Sequence, residues 1–504
     1  MLRITRIIVA TLFFVLITFY FLDFAGVLPE GAHWLAKVQF VPALLSLSVV
    51  ILIVLLVLTL LMGRIYCSVI CPMGVFQDVI NRISRLFAKK KKKFTYSKPK
   101  TLLRWLILAI SILAFVFGIS FLVGLLDPYS AYGRMITSIF KPLYMLCNNL
   151  LESIFSRQEN YTFYKVDIAI RSILSLVIGA ATFLLIGFLA WKNGRTWCNT
   201  ICPVGTVLGF LSRFSVFKIR IDLNKCTSCG ICATKCKASC ISVSTHSIDY
   251  SRCVDCFDCL NDCRQEAISF TPSAAITRQG VDASKRRFMT AGITTALVAP
   301  QALLHAQSTL LSTGGKAYKK KNPLTPPGSV SLEHFQENCT SCHLCVSKCP
   351  SHVLKPAFME YGLEGMMQPT VDFEKGFCNF DCTVCGDVCP TAAIKPLTVK
   401  QKHVTQMGYV VFILENCIVH TDNTSCGACS EHCPTQAIAM VPYKDGLTIP
   451  KVDRDICVGC GGCEYVCPAR PYRAVHIEGN PVQIAAKPFK EEKKEKIKID
   501  NFGF

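Results

Sequence analysis

Eight cysteines between residues 226 and 263 repeat one spacing: Cys226, Cys229, Cys232 and Cys236, then Cys253, Cys256, Cys259 and Cys263, each set reading C-x2-C-x2-C-x3-C. Few sequence features restrict a fold more. Thiolates are soft ligands that suit iron–sulfur clusters, and this spacing lets one loop wrap three corners of a [4Fe–4S] cube while the fourth cysteine reaches the other cube. Only 16 residues separate the runs, so a crossed pairing is compact. A zinc ribbon needs only two cysteine pairs, and a disulfide knot has no reason to repeat one spacing. Lys237 and Arg264 stand where the bacterial pattern carries proline, which changes turn stiffness and removes no ligand.

Four further motifs follow between residues 331 and 480. Cys339, Cys342, Cys345 and Cys349 keep the standard spacing, while Cys378, Cys382, Cys385 and Cys389 widen the first gap to three residues. Cys417, Cys426, Cys429 and Cys433 widen it to eight, and Cys457, Cys460, Cys463 and Cys467 return to standard. Each ends in Cys-Pro, and proline sets the chain direction after the fourth ligand. Short apolar phrases between the motifs predict small strands and turns of ferredoxin-like α+β units. Six motifs thus take 24 of the 30 cysteines. No Gly-rich nucleotide loop, nucleophile elbow or His cluster at metal spacing accompanies them, so the chain has the makings of a wire.

Ahead of these motifs the chain is apolar, in keeping with 51% hydrophobic residues overall. Four runs, roughly Ile7–Leu28, Phe40–Met62, Leu102–Leu126 and Val166–Ala190, are long enough to cross a bilayer. Residues 82 to 104 carry ten Lys or Arg, including Lys89 to Lys93, and no acid, which marks that loop as cytoplasmic. Four crossings then return the chain to the cytoplasm before Cys226. The net charge of +20 reads as a topology signal and does not require nucleic acid.

After the second and fourth runs one phrase recurs, Gly63-Arg64-Ile65-Tyr66-Cys67-Ser68-Val69-Ile70-Cys71-Pro72 and Gly194-Arg195-Thr196-Trp197-Cys198-Asn199-Thr200-Ile201-Cys202-Pro203. The repeat predicts two related helix pairs. A helical phrase would put each pair of cysteines on one face. Cys67, Cys71, Cys198 and Cys202 would then supply four thiolates across the bundle axis, enough for one cluster or two redox-active dithiols. The bland alternative is that they pack as small buried hydrophobes. Cys147 and Cys240 remain as a membrane-region thiol and a spare ligand near Cys236.

Together the two Cys-x3-Cys-Pro phrases, the segment Leu126-Asp127-Pro128-Tyr129-Ser130-Ala131-Tyr132-Gly133-Arg134 and the eight-cysteine stretch resemble NapH, a membrane ferredoxin-type family of periplasmic nitrate respiration. That resemblance covers residues 1 to about 270 and extends to the NosR and CcoG (RdxA) polyferredoxin groups. The later motifs, with the long gap in the third, resemble the NapG ferredoxins, so the chain looks like NapH and NapG fused. Ser284-Lys285-Arg286-Arg287-Phe288-Met289 before an apolar run resembles a twin-arginine (Tat) export signal with lysine at the first arginine; it would serve as a fifth crossing.

These readings give an α-helical membrane bundle of four spans, five with the Tat-like segment, plus α+β ferredoxin-like [4Fe-4S] domains. The divisions are 1–217, the bundle; 218–272, a cytoplasmic two-cluster domain; 273–330, a linker; 331–480, a four-cluster domain on the periplasmic side; and 481–504, a charged tail. The resemblance implies six [4Fe-4S] clusters in a bacterial inner-membrane quinol dehydrogenase. It would draw on the quinone pool and pass electrons to a periplasmic cytochrome c or nitrate reductase. Asp127 and Arg134 are candidates for the quinol site, against the plainer role of a helix cap or turn. The alternative function is assembly or maintenance of a respiratory metalloenzyme, as in the CcoG and NosR groups.

Overall fold

The computed structural model describes residues 2–23, 26–87, 94–159, 161–168, 172–272 and 317–487. The Tat-like segment, Lys89 to Lys93 and the tail beyond Lys487 lie outside them. The N-terminal half is a helical bundle. Its first helix, α1 (Leu2–Leu22), is followed by α2 (Trp34–Lys37), α3 (Phe40–Leu45), α4 (Val49–Met62), α5 (Ile65–Val69) and α6 (Pro72–Leu86). Next come α7 (Thr101–Val116), α8 (Ser120–Leu126), α9 (Pro128–Met135), a wide turn at Ile136–Phe140, and α10 (Lys141–Phe155). The bundle closes with α11 (Ile173–Asn193), α12 (Thr196–Thr200) and α13 (Pro203–Leu211).

Among the described residues, α1 and α11 are long and apolar enough to cross a membrane, while α4 and α7 are shorter apolar helices. The second and third apolar runs are each broken in two. Leu47, with φ near 51°, ends α3, and Gly118, with φ near 72°, ends α7. A left-handed residue closes a helix by turning its next N–H back onto the last carbonyls. Hydropathy alone carries no trace of such a stop.

Residues 217–272 form a small ferredoxin-like unit. Strand β1 (Phe217–Ile221) pairs antiparallel with β4 (Ile268–Pro272), placing Ile219 opposite Phe270. Between them lie α14 (Ile231–Lys235), the hairpin of β2 (Ile241–Ser242) and β3 (Ser247–Ile248), and α15 (Asp258–Asn261). This unit has its own core, with Ile219, Ile241 and Phe257 packed around its cysteines. The C-terminal unit begins with α16 (Leu332–Asn338) and α17 (Leu344–Lys348). It holds three antiparallel pairs: β5 (Leu354–Pro356) with β6 (Pro369–Val371), β7 (Thr405–Phe412) with β10 (Val475–Ala485), and β8 (Ile438–Pro442) with β9 (Thr448–Val452). Its core is continuous with that of the bundle, running from Ile17 and Phe21 through Tyr129 to Phe335 and Leu344.

The two ferredoxin-like units sit at opposite ends of the bundle. At the start of α1, Arg3 bonds Asp258 of the smaller unit at 2.9 Å, and at its end Asp23 pairs with Lys348 of the larger unit at 2.7 Å. Helix α11 runs the other way. Ser175 near its start bonds Ser138 at 2.8 Å and faces His343 at 3.4 Å, whereas Arg195 just past its end donates its backbone N–H to Lys237 at 3.0 Å. A helix of 21 residues spans about 30 Å. Both interfaces are made of directed polar contacts. Arg104 bonds the Ser251 hydroxyl at 3.1 Å at one end; at the other, Arg134 reaches the Ser341 carbonyl at 3.3 Å and Lys141 the Ser347 hydroxyl at 2.7 Å.

Candidate iron–sulfur centres

All thirty cysteines are free thiols. The fold sorts most of them into sets of four. In the smaller unit Cys226, Cys229, Cys232 and Cys263 line one cavity of about 220 Å³, and Cys236, Cys253, Cys256 and Cys259 line a second. The fourth cysteine of each run has crossed to the other set. This is the crossed pairing that the spacing led us to expect, brought about by the antiparallel β1–β4 pair, which folds the two runs back to back.

The larger unit repeats the exchange in neighbouring pairs. Cys349 joins Cys378, Cys382 and Cys385 around one cavity, and Cys467 joins Cys417, Cys426 and Cys429 around another. In return, Cys389 lies within electrostatic range of Cys339, Cys342 and Cys345, and Cys433 within range of Cys457, Cys460 and Cys463. The first motif of this unit therefore pairs with the second, and the third with the fourth. Sequence spacing left that pairing open, because every motif ends in the same Cys-Pro.

Inside the bundle the recurring phrase makes two re-entrant hairpins. Each chain enters by a short helix, α5 or α12, turns, and leaves by α6 or α13. The phrase is not one helix, as an unbroken i, i+4 reading would require. Cys71 and Cys202 have extended backbone, with ψ of 114° and 118°, and each precedes the proline that begins the outgoing helix. Proline clashes with a helical residue before it but is at home in the first turn of a new helix. The Cys-Pro step is therefore the bend itself, and it brings Cys67, Cys71, Cys198 and Cys202 into one buried group within electrostatic range of one another.

Two buried arginines lock the hairpins together by exchange. Arg64 of the first phrase donates to the Cys198 carbonyl at 3.1 Å, and Arg195 of the second donates to the Cys67 carbonyl at 2.6 Å. Arg195 is balanced by Asp78, at 2.7 Å. Arg64 is fully buried, and its side-chain hydrogen bonds end on Asn199, two carbonyls and the Cys67 sulfur, with buried Asp255 within electrostatic range. A second buried cation beside four cysteines favours the thiolate form that ligands to a cluster take, so the residues present fit an iron–sulfur centre. Among the described residues no three His, Cys, Asp or Glu side chains converge closely enough for a single metal ion.

Of the remaining candidates, Asp127 caps α9, accepting from the Ser130 N–H at 2.8 Å and its hydroxyl at 2.6 Å. Arg134 docks the larger unit and also bonds the Gly124 carbonyl at 2.8 Å. Both are buried and hold structure in place. Cys147 is exposed on α10. Cys240 lies 3.5 Å from the Cys236 sulfur, and its hydrogen bond draws Cys236 down to about 7, toward the thiolate form that a ligand needs.

Comparison with known proteins agrees with this geometry. A 4Fe-4S binding domain profile matches twice, at residues 45–94 and 172–222, once on each hairpin. A 4Fe-4S dicluster domain profile matches residues 424–470, and another matches 249–353. The last joins two cysteine runs that the structure holds at opposite ends of the bundle. Ferredoxin-type protein NapF of Escherichia coli K12 is 26% identical over 166 residues, 33% of this chain and 93% of NapF. Methylamine utilization ferredoxin-type protein MauM is 32% identical in Methylobacillus flagellatus, over 29% of this chain and 63% of MauM. In Methylorubrum extorquens MauM is 31% identical, over 36% of this chain and 84% of MauM. No solved structure matches the chain. With its cysteines gathered into sets of four and a ferredoxin-type relative, MauM, matched over most of its length, the chain belongs to the ferredoxin-type 4Fe-4S family that includes MauM, and is an iron–sulfur electron-transfer protein.

Proposed function

We infer that the protein is a membrane quinol dehydrogenase of the NapH and NapG kind. In this reading it holds six [4Fe–4S] clusters in its two ferredoxin-like units, on the 24 motif cysteines, with a further redox centre on Cys67, Cys71, Cys198 and Cys202. The bundle spans the inner membrane four times. The smaller unit faces the cytoplasm and the larger one the periplasm, where a cytochrome c or a reductase such as nitrate reductase takes the electrons. Iron–sulfur clusters supply one-electron storage; the chain's own residues set where the clusters stand, exclude water and balance their charge. The observation that carries this reading is the docking of the two units at opposite ends of one bundle, with four thiols buried between them. Electron tunnelling falls off steeply with distance, so a gap of about 30 Å needs a stepping stone. Those four thiols are the cysteine group inside the bundle that could provide one.

The test is electron flux across a sealed proteoliposome, from dithionite outside to ferricyanide trapped inside. Replacing Cys198 with serine should lower the flux by about two orders of magnitude or more, the scale on which loss of one essential redox step is felt. Iron content in the two ferredoxin-like units should stay unchanged. Equal flux in the variant would overturn the relay through the bundle.

A further inference from the structure

A cavity of about 1050 Å³ holds none of the four bundle thiols. It lies where the bundle meets the larger unit, between the end of α1, the α10 and α11 helices, and the loop after α17. Its apolar lining includes Leu28, Met145, Leu176 and Val388, interspersed with polar residues such as Lys141, Ser175 and Asp387. There Tyr20, buried, shares a hydrogen bond of 2.7 Å with Nδ1 of His33, which is half-buried. Asp23 lies beside them, paired with Lys348.

Two cube-sized cysteine sets border this space. Cys349, which belongs with Cys378, Cys382 and Cys385, lines it directly. Cys342, of the neighbouring set, lies within electrostatic range of Tyr20. The helices that wall the cavity carry exposed apolar side chains outward, among them Leu12, Leu146 and Val177, so an apolar ligand can arrive from the lipid.

We propose that this cavity is where the quinol binds, with the Tyr20–His33 pair receiving its protons. The proposal rests on the quinol dehydrogenase reading. A ring lies against the apolar lining with one hydroxyl at the Tyr20–His33 hydrogen bond. Oxidation breaks two O–H bonds and yields the quinone. The first proton passes to His33 and on to solvent, and the second follows by the same path. The two bordering sets, Cys349 with Cys378, Cys382 and Cys385, and Cys342 with Cys339, Cys345 and Cys389, would hold the clusters, and oxidised clusters there would supply an acceptor for one electron each. Asp127 and Arg134 lie outside the cavity and take no part.

The test uses the full chain with its clusters reconstituted, held in lipid nanodiscs without oxygen. Duroquinol is the reductant, bleaching of cube absorbance is the readout, and duroquinone affinity is measured separately by equilibrium dialysis. Leu176→Trp should fill space at the apolar lining and weaken duroquinone binding by about tenfold or more. At saturating duroquinol, His33→Phe should slow bleaching by about a hundredfold, the scale of a lost proton acceptor. Photolabelling of the unmodified protein with an azidoquinone should mark residues 28–37, 138–145 or 172–176. Labelling confined to the end of the bundle near Cys226, or unchanged binding and bleaching in both variants, overturns the site and leaves quinol oxidation standing. If dithionite bleaches the unmodified protein but duroquinol does not, the dehydrogenase reading itself fails, and the site with it.

Discussion

Asp78 shows how much a single carboxylate can hold together. It receives Arg6 at 2.6 Å, Arg195 at 2.7 Å and Lys237 at 2.7 Å, joining α1, the second hairpin and the smaller ferredoxin-like unit. Burial alone would raise its pKa, but the three cations outweigh burial and hold it well below the usual carboxylate range. Asp78→Asn would leave buried Arg6 and Arg195 without their counter-charge, while Lys237 keeps Asp258 at 3.4 Å. Breaking a buried ion pair from one side costs about 3–5 kcal/mol, so the variant should show a loss of that size in denaturant unfolding. Asp249 works in the same way nearer the surface. Burial opposes its charge, yet bonds from Ser251 and Arg252 keep its pKa below the ordinary value. A carboxyl depressed on folding stabilises the fold above its unfolded pKa and loses that contribution as pH falls through the folded value. The thermal midpoint of the smaller unit should therefore drop as pH falls below about 4. Asp249→Asn should lower the midpoint at neutral pH and flatten the decline in acid.

The hairpins are the elements on which the proposed bundle centre depends, and their tightness can be tested at one atom. Gly74 and Gly205 occupy matching places in the two outgoing helices, and a Cβ on either would run into the carbonyl of Cys67 or Cys198, with the exchanged arginine behind it. Backbone cannot give way as a side-chain tip does. Gly205→Ala should cost about 1–3 kcal/mol as overpacking and reduce the iron bound in the bundle, read by metal analysis after the ferredoxin-like units are accounted for.

Much of this was legible in the residues. Ligand spacing is a local property, so the cysteine motifs and the crossed exchange of Cys236 and Cys263 could be read directly. The duplicated phrase predicted two related helix pairs, and the structure makes each phrase a hairpin. The bends at Cys71 and Cys202 were also written there, in the following proline, although an i, i+4 spacing suggested a continuous helix. What spacing could not convey was set by tertiary packing. The choice of Cys389 for Cys339, Cys342 and Cys345 depends on which loops lie side by side, and the stops at Leu47 and Gly118 depend on backbone angles within apolar runs. The roles of Asp127 as a cap and Arg134 as a docking residue likewise emerge only once their partners, Ser130 and Ser341, are in place.

At the scale of the whole molecule, the arrangement makes a claim about sides. With the bundle in a membrane, residues 331–480 should be cut by protease added to intact spheroplasts, while the smaller unit is cut only after lysis. Protection of both from outside would place every ferredoxin motif in the cytoplasm and remove the periplasmic acceptor. The opposite docking of the two units also makes the protein an electrical device. In the proposed orientation, an electron passed from the larger unit to the smaller one would move a full negative charge along the membrane normal, against an interior-negative potential. The work is about 2.3 kcal/mol per 100 mV, so respiration that polarises the membrane should slow inward transfer and favour outward transfer. Imposing a potassium diffusion potential on the proteoliposomes should change the flux, and reversing its sign should reverse the change.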